Sequence, residues 1–290
     1  MKVDTALIPL AGLGTRMLPA SKAIPKEMLP ILSKPIIQFI IEEVELAGFK
    51  NVIFITHSSK NSIENHFDVS FELESTLERR LKRSSLKELR DINHRKVNIY
   101  SVRQGEPKGL GHAILSAASF IENKSFAVIL PDMLIDGNTK NNNLSLMKKN
   151  FEKTGKSCLL LSKAEKKELV NYGVVKYANN KSLKEFQQIS KIVEKPSLKS
   201  IPSNFYALGR YIFREDFLNY LKEVKPDKTG EIQLSDAISM YLNDKKDLIA
   251  TKLCGKVFDC GNQLGYFRAI LNFASKDKRL KKEISNFSKI

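Results

Sequence analysis

The stretch TALIPLAGLGTR, residues 5–16, joins an apolar run to a loop that carries Gly12 and Gly14. The apolar run predicts a strand over residues 5–10, with a loop over residues 11–16. Glycine lets the backbone turn sharply and approach a ligand closely, and consecutive loop N–H groups can bind carbonyl or phosphate oxygens. The stretch therefore predicts a first strand that ends in a ligand-binding loop.

Short β-prone runs alternate with amphipathic helical patterns along the rest of the chain, which predicts an α/β fold around a mostly parallel sheet. The predicted strands cover residues 5–10, 51–56, 97–102, 126–132, 157–161, 174–177, 189–194 and 207–213. The predicted helices cover residues 35–48, 72–92, 112–121, 216–222, 232–243 and 263–274. The apolar sequence FAVILPD is typical of a buried central strand, and it ends at Asp132.

A length of 290 residues allows one large or two modest domains with a sizeable core. No apolar run approaches the ~20 residues that span a bilayer, and the N-terminus lacks a signal-peptide pattern. We therefore expect a cytoplasmic protein without a membrane partner. Cys158, Cys254 and Cys260 form no CxxC pair, so neither a disulfide framework nor a zinc site is predicted.

The charge is unusual, because 48 Lys and Arg against 32 Asp and Glu give a net charge of +16. Nucleic-acid binding would concentrate these residues on one element with aromatic residues between them, whereas here they are scattered. The densest segments, 79–83 and 276–282, follow helical patterns typical of solvated faces. We expect no nucleic-acid partner, and a phosphorylated small substrate would also benefit from positive potential.

Two familiar nucleotide-binding motifs are excluded. A dinucleotide fingerprint requires a glycine at the position of Met17 and an acidic residue near Thr56, at the end of the second strand. A Walker loop requires Gly-Lys followed by Ser or Thr, which the loop lacks.

The loop instead offers two basic residues, Arg16 and Lys26, in a segment that contains Pro19, Pro25 and Pro30. Prolines stiffen the backbone, so the basic pair is suited to clamp a polyphosphate. An ordinary basic surface loop explains these residues equally well when they are considered alone.

Two carboxylates are candidate ligands for magnesium. Asp132 ends a predicted buried strand, where ligands collect in open α/β sheets, and Asp259 follows another short apolar run. Together they suggest a metal ion that bridges phosphate oxygens. Either one alone is more often a cap or a turn residue.

Two further segments carry suitable side chains for a nucleotide and a sugar. Gln104, whose amide can pair with a base, precedes Gly109 and Gly111, which allow flat contact. Glu194 and Lys195 are adjacent at the end of a predicted strand, where they can face sugar hydroxyls and a phosphate. An exposed Glu-Lys pair is the alternative interpretation.

Seven segments, in this order, resemble one known family: GLGTRMLPASKAIPKEMLP, THSSKNSIENHFD, RQGEPKGLGHA, ILPD, YGVV, VEKP and FDCGNQLGY. The chain is similar over residues 4–275 to the bacterial UTP:glucose-1-phosphate uridylyltransferases, within the sugar-nucleotidyltransferase group. The resemblance implies a Rossmann-like nucleotidyltransferase fold with a mixed, mostly parallel central sheet flanked by helices. It also implies the Mg²⁺-dependent reaction of UTP with glucose 1-phosphate to give UDP-glucose and pyrophosphate.

The resemblance also implies roles for individual residues. Those implied for the nucleotide are Ala11, Gly12, Gly14, Gln104 and Gly109, with Arg16 and Lys26 on its phosphates. Those implied for the sugar phosphate and the metal are Gly173, Glu194 and Lys195, and Asp132 and Asp259, respectively. Arg16, Lys26 and Lys195 would be the catalytic cations. His57 and His112 are interpreted as structural, because this chemistry needs no histidine.

We expect one catalytic domain over residues 1–275, with a mainly nucleotide-binding part over 1–135 and a mainly sugar-phosphate-binding part over 136–275. A basic helical tail is predicted over residues 276–290, and a homo-oligomer, dimer or tetramer, is expected. Two alternatives remain. One is a sister enzyme that uses another nucleotide or sugar phosphate, and the other is a non-catalytic sugar-nucleotide-binding subunit.

Overall fold

The computed structural model of the protein describes residues 1–93, 95–137, 142–178 and 187–287. The strands are β1 (Thr5–Pro9), β2 (Pro30–Ile31), β3 (Lys34–Pro35), β4 (Asn51–Thr56), β5 (Asn98–Arg103), β6 (Phe126–Ile129), β7 (Met133–Asp136), β8 (Ser157–Lys163), β9 (Gly173–Tyr177), β10 (Gln187–Glu194), β11 (Phe205–Phe213), β12 (Leu248–Lys252) and β13 (Lys256–Asp259). The helices are α1 (Ile36–Leu46), α2 (Asn61–Phe67), α3 (Phe71–Arg79), α4 (Arg83–Asn93), α5 (Gly109–Ser116), α6 (Ala118–Ile121), α7 (Asn143–Thr154), α8 (Lys166–Leu169), α9 (Phe217–Glu223), α10 (Leu234–Asn243), α11 (Gln263–Ala274) and α12 (Lys278–Phe287).

Nine of these strands form one sheet, in the order β5-β4-β1-β6-β11-β8-β12-β10-β9. The four strands from β5 to β6 pair in parallel, as do β8 and β12. β11 runs antiparallel to β6, β8 and β9, and β10 runs antiparallel to β9 and β12. The mixed α/β fold is confirmed, but parallel pairing dominates only the first half of the sheet.

Both faces of the sheet are covered, which explains the continuous apolar runs of its central strands. In β1, Ala6 and Ile8 pack into one buried cluster, whereas Leu7 packs into the cluster on the opposite face. Phe126 and Ala127 of β6 divide between the two clusters in the same way. The central sheet therefore holds the carboxyl ends of β1 and β6 in fixed positions.

A third apolar cluster supports the segment after the glycine loop. It includes Met17 and Leu29 from that segment, Leu134 from β7, Cys260 after β13 and Ala269 from α11. This cluster ties the loop after β1 to the small two-stranded sheet of β7 and β13. Residues distant in the sequence are thereby fixed around one edge of the central sheet.

The long helix predicted over residues 72–92 is wrong, because the chain forms α3 and α4 instead. The break falls at Leu81, which has a left-handed backbone with φ of +54° and a side chain that is 77% exposed. Of the leucines that suggested one continuous helix, only Leu86 is buried. The leucine spacing correctly predicts helical structure. Because most of these leucines are not buried, however, packing does not hold α3 and α4 together as one helix.

Several elements escaped prediction. They are β2, β3, β7, β12, β13, α2, α7 and α8. The helix predicted over residues 112–121 begins earlier, at Gly109, and divides into α5 and α6 at Ala117. α12 lies within the basic C-terminal segment, and no helix among the described residues is long and apolar enough to cross a membrane. The composition of residues 179–182, rich in Asn, Lys and Ser, predicts a surface loop, but this segment lies outside the described residues.

Candidate active site

The glycine loop follows β1 at the edge of the sheet where ligands collect in open α/β folds. Beyond the glycines the chain makes three single-turn 3₁₀ helices, Thr15–Met17, Ala20–Lys22 and Lys26–Met28. Gly14 has a φ of +68°, and its carbonyl oxygen accepts a 2.8 Å hydrogen bond from the Ser21 hydroxyl. Because a side chain would be strained in that conformation, Gly14 shapes the loop.

A cavity of about 430 Å³ opens beside this loop. Its lining includes the five residues that the sequence analysis associates with the nucleotide: Ala11, Gly12, Gly14, Gln104 and Gly109. Lys26 and Asp132 line the same cavity. Gly109 has a φ of +90°, and a Cβ atom there would lie 2.9 Å from the Ile232 carbonyl oxygen. No side chain fits at Gly109, so the backbone itself forms that wall.

Gln104 projects from the loop that follows β5, and only 3% of its surface is exposed. Its backbone N–H donates to the Thr56 carbonyl oxygen at 2.8 Å, which fixes the residue to the end of β4. Its side-chain Nε2 lies 2.9 Å from His112 Nδ1 and 3.4 Å from the Gly109 carbonyl oxygen. His112, for which the sequence predicts a structural role, lies directly against Gln104.

A second cavity, of about 290 Å³, shares Asp132 with the first. Its lining includes the residues associated with the sugar phosphate, namely Gly173, Glu194 and Lys195. Arg16, associated in the sequence analysis with the nucleotide phosphates, lines this second cavity. Its side chain is 58% exposed, with Nη1 3.8 Å from Asp259 Oδ2. All twelve residues singled out from the sequence therefore line one or the other of two adjoining cavities.

The β9–β10 ladder places Glu194 in the second cavity by pairing it with Gly173. A Cβ atom at Gly173 would lie 3.0 Å from Glu194 Oε2, so the glycine leaves room for the carboxylate. Glu194 faces the open cavity, yet the surrounding protein desolvates it enough to raise the pKa of its carboxyl. Lys195, next in the chain, has a left-handed backbone with a φ of +41°, and its N–H donates to the Tyr172 carbonyl oxygen at 3.1 Å.

The antiparallel pairing of β13 with β7 brings Asp259 beside Met133 and therefore beside Asp132. A Cβ atom at Gly261 would lie 2.9 Å from both Asp259 Oδ1 and Arg16 Nη2, and 3.0 Å from Asp132 Oδ2. The missing side chain of Gly261 thus leaves a space that both carboxylates face, and Tyr172 donates a 3.0 Å hydrogen bond to Asp259 Oδ2.

These two carboxylates fit a magnesium ion. Carboxylate oxygens are the ligands that Mg²⁺ prefers, and the ion usually takes its remaining ligands from water and substrate phosphates. Among the described residues there is no group of three or more His, Cys, Asp or Glu side chains that could hold a metal ion.

Lys26 and Asp132 form a mostly buried ion pair, with Nζ 2.7 Å from Oδ2. Burial opposes the charge of Lys26, but Asp132 and Glu27 outweigh it, so the pKa of Lys26 is raised. Burial likewise opposes the charge of Asp132, but Lys26 and Arg16 outweigh it, so the pKa of Asp132 is lowered. Both groups therefore carry their charge at neutral pH.

Arg210 of β11 is completely buried beneath the turn that carries Asp132. Its Nη1 donates to the Leu130 carbonyl oxygen at 2.9 Å, and its Nη2 donates to the Met133 carbonyl oxygen at 2.8 Å. Glu43 of α1 accepts from the same guanidinium at 2.7 Å and 3.1 Å. The guanidinium thus holds both sides of the Asp132 turn.

Sequence reasoning missed several residues that face the cavities. Glu231 lines both cavities, whereas Gln233 and Ser235 line the second one. Ser235 Oγ is buried and makes no hydrogen bond of normal geometry within the described residues. In the sequence GEIQLSD, residues 230–236, these three polar residues alternate with Ile232 and Leu234 directly after Gly230, and this alternation was the available signal.

A buried ion pair was also missed, and it lies beneath the loop. Lys60 Nζ lies 2.9 Å from Glu27 Oε2, and both side chains are less than 7% exposed. The pair fixes the 3₁₀ turn that carries Lys26 to the chain beyond β4. Both residues stand within motifs quoted above, but the sequence does not indicate that they meet.

The model of a protein family described as nucleotidyl transferase matches residues 5–276. A UTP–glucose-1-phosphate uridylyltransferase of Haemophilus influenzae is 44% identical, over 98% of this chain and 97% of its own length. A UTP-bound UGPase from Acinetobacter baumannii superposes with a TM-score of 0.89 at 38% identity, covering 98% of both chains. A UDP-glucose pyrophosphorylase complexed with UDP-glucose has a TM-score of 0.84 at 37% identity, covering 95% of this chain and 100% of its own.

Proposed function

The chain belongs to the nucleotidyl transferase family, and we propose that it transfers the uridylyl group of UTP to glucose 1-phosphate. The products of this reaction are UDP-glucose and pyrophosphate. The observation that carries the proposal is the meeting of two cavities at Asp132, one built around the glycine loop and Gln104, the other around Glu194 and Lys195. A nucleotide and a sugar phosphate bound there would have their phosphates together.

The nucleophile of this reaction is the phosphate of glucose 1-phosphate, which is already ionised at pH 7. No general base, covalent intermediate or redox cofactor is required, so catalysis depends on positioning and on charge neutralisation. Holding the two substrates in line for displacement at the α-phosphorus is worth up to about 7–11 kcal/mol. Direct displacement of this kind inverts the configuration at that phosphorus.

Repulsion between the two anionic substrates is the main obstacle, and three cations of the site oppose it. Lys26 stands in the nucleotide cavity beside Asp132, and the prolines at positions 25 and 30 limit the movement of its segment. Arg16 and Lys195 stand in the second cavity, where the phosphate of the sugar enters. We assign Lys26 to the leaving pyrophosphate and Lys195 to the phosphate of glucose 1-phosphate.

Asp132 and Asp259 would hold a magnesium ion in the space that Gly261 leaves open. When bound, such an ion neutralises phosphate oxygens and stabilises the charge that develops on them during transfer. The two carboxylates themselves, one fixed by Lys26 and the other by Tyr172, are already oriented toward that space.

Recognition of the two substrates is divided between the cavities. Gln104 and the backbone at Gly109 would contact the uracil edge, and Gly12 and Gly14 would let the loop approach the nucleotide closely. Glu194 accepts hydrogen bonds, so it suits two sugar hydroxyls, while Gly173 keeps the cavity open beside it.

The test of this function is pyrophosphate release from UTP, TTP, ATP and CTP, each crossed with the 1-phosphates of glucose, galactose, mannose and N-acetylglucosamine. We expect UTP with glucose 1-phosphate to give the highest kcat/KM. A higher value for another pair would identify a sister enzyme. Failure to release pyrophosphate with any pair, by protein that binds UDP-glucose, would identify a non-catalytic subunit.

We further propose that the protein works in the cytoplasm as a homo-oligomer. The exposed apolar side chains of α3 and of the segment around it, Val69, Phe71 and Leu81, would suit a subunit contact. Sedimentation at several concentrations tests the oligomeric state.

A further inference from the structure

The amide group of Gln104 faces two hydrogen-bond acceptors on the protein side. One is the Gly109 carbonyl oxygen, 3.4 Å from Nε2, and the other is His112 Nδ1, at 2.9 Å from the same atom. A carbonyl oxygen accepts only, so the nitrogen of the amide must point to this side. His112 Nδ1 then accepts as well, which places the proton of the neutral imidazole on Nε2.

This arrangement leaves the amide oxygen of Gln104 for the ligand. Both N–H groups are committed to the protein, and no donor among the described residues bonds Oε1. The side chain is 3% exposed and its backbone is bonded to Thr56, so the amide has few alternative positions. The nucleotide cavity is therefore lined at this point by an acceptor.

An acceptor at this position distinguishes the two common pyrimidines. Uracil carries a hydrogen on N3 and donates there, whereas N3 of cytosine carries a lone pair and repels an acceptor. A rotation of the Gln104 amide by 180° would reverse the preference, because it would present N–H groups to the base. The orientation of the Gln104 amide therefore determines whether the site favours UTP or CTP.

We infer that His112 is a positioning residue that holds the Gln104 amide with its oxygen toward the base and thereby selects UTP over CTP. The inference rests on the proposed function, since it assumes that the base lies against Gln104. His112 itself is well placed to be rigid. It lies on α5, whose first turn packs so closely on Ile232 that a Cβ atom at Gly111 would be 2.7 Å from that residue.

The experiment compares His112→Ala, which removes the acceptor, with His112→Asn, whose side-chain oxygen can accept near the position of Nδ1. Ser116→Ala is the matched control, because Ser116 lies one turn further along α5 and its hydroxyl donates to the His112 carbonyl oxygen rather than to Gln104. For each protein, kcat/KM is measured for UTP and CTP. Binding of UDP-glucose and CDP-glucose is measured by calorimetry, which requires no turnover.

We expect His112→Ala to reduce the preference for uracil over cytosine about tenfold or more, as for a lost base-edge hydrogen bond. His112→Asn should keep most of the preference, and Ser116→Ala all of it. N3-methyl-UTP should bind wild-type protein poorly, and its binding should change little in His112→Ala. Loss of both pyrimidines by the same factor in His112→Ala, or an unchanged preference, would overturn the inference.

The proposed function fails in a different way. If wild-type protein prefers CTP or a purine nucleotide, the assigned substrate is wrong whatever the variants do. If wild-type protein prefers UTP and His112→Ala keeps that preference, only the role of His112 is wrong. Thermal unfolding of each variant confirms that the compared proteins are folded.

Discussion

Asp132 stands where the two cavities meet. Its carboxylate contacts Lys26 on one side and faces the space beside Gly261 on the other. Lys26 Nζ lies 2.7 Å from its Oδ2, the same oxygen that faces that space. Without a ligand the lysine neutralises the carboxylate. A cation and a nucleotide entering together would each recruit one member of the pair, so binding of the two should be coupled.

The first prediction concerns the two carboxylates. Asp132→Asn and Asp259→Asn each remove one charge and keep the side-chain volume, so we expect turnover to be nearly abolished at limiting Mg²⁺. Asp136→Asn is the matched control, because Asp136 lies on the neighbouring β7 strand but bonds Asn272 and Lys276 outside both cavities. Initial rates across a Mg²⁺ titration check this. Near wild-type rates for Asp132→Asn and Asp259→Asn would contradict a metal site at these two carboxylates.

The second prediction concerns Glu194. Glu194→Gln replaces charge-assisted hydrogen bonds to sugar hydroxyls by neutral ones, which should weaken use of glucose 1-phosphate by about 1–3 kcal/mol. The affinity for UTP should change little, because Glu194 lines only the second cavity. Separate titrations of the two substrates check this, and equal losses for both would place Glu194 elsewhere.

The pH dependence of the same variant gives a third prediction. Burial raises the pKa of Glu194, so its carboxyl becomes protonated at a higher pH than an ordinary glutamate. As the pH falls through that raised pKa, wild-type protein should lose affinity for glucose 1-phosphate, whereas Glu194→Gln should lack this component. The ratio of the two KM values across pH cancels the titration of the sugar phosphate itself. A ratio that stays constant with pH would contradict a titrating Glu194.

Single residues differ in how far the sequence predicts their surroundings. Asp132 ends a predicted strand, whereas Asp259 follows only a short apolar run, and both were suggested as ligands because ligands collect beyond strand ends in open α/β sheets. The structure does bring them together, through the β7–β13 pair that the sequence analysis missed. The partnership of Gln104 with His112 was not predictable, because it depends on the path of the turn between them.

At the scale of elements, three segments meet at Arg210 of β11: the helix α1, the strand β11 and the turn after β6. The guanidinium is completely buried, and the carboxylate of Glu43 on α1 supplies its counter-charge. Two backbone carbonyl oxygens of the turn complete its hydrogen bonds. The charge pair therefore fixes the turn that carries Asp132 relative to the sheet.

The fourth prediction compares two neighbouring glutamates of α1. Glu43→Gln breaks a buried pair and leaves the Arg210 charge uncompensated, which should cost about 3–5 kcal/mol of unfolding free energy. Glu42→Gln weakens the partly exposed pair with Lys34 and a 3.9 Å pair with Arg95, which keeps Glu45 as its closer partner, and should cost less than about 1 kcal/mol. Urea unfolding of both variants checks the difference. Equal, small losses would show that the buried pair does not hold the turn.

Elements themselves were predicted to different degrees. β4 and α11 match their predicted bounds. The apolar run of β4 is bounded by polar residues, and the helical period of α11 begins after a capping residue. The Asn262 side chain, for example, caps α11 by accepting from the Gly265 N–H at 2.9 Å. The break between α3 and α4 was missed, since the left-handed backbone of Leu81 has no signature in its local sequence.

At the scale of the whole molecule, the parts over residues 1–135 and 136–275 share one sheet. β6 from the first part pairs with β11 from the second, and both main apolar clusters contain residues of the two parts. The dense basic segments over residues 79–83 and 276–282 lie on the exposed surface. They leave the shared core unaffected and add positive potential that attracts anionic substrates.

The fifth prediction is that the two parts unfold together. Because β6 and β11 are paired and share their core, neither part can lose its structure without exposing the other, so one cooperative transition is expected. The chain has no tryptophan, and all its tyrosines except Tyr100 lie beyond residue 135, so tyrosine fluorescence follows the second part. Hydrogen exchange of peptides from β1 and β4 follows the first part.

Both probes should give the same urea midpoint, and UDP-glucose should raise the two midpoints equally, because it binds across both parts. Midpoints that separate, or a ligand that stabilises only one of them, would show that two domains fold independently. In that case the shared sheet would be a docked interface rather than a common core. The position of Asp132 between the cavities would then depend on how the two domains dock, and mutations at the β6–β11 pair would change KM for both substrates.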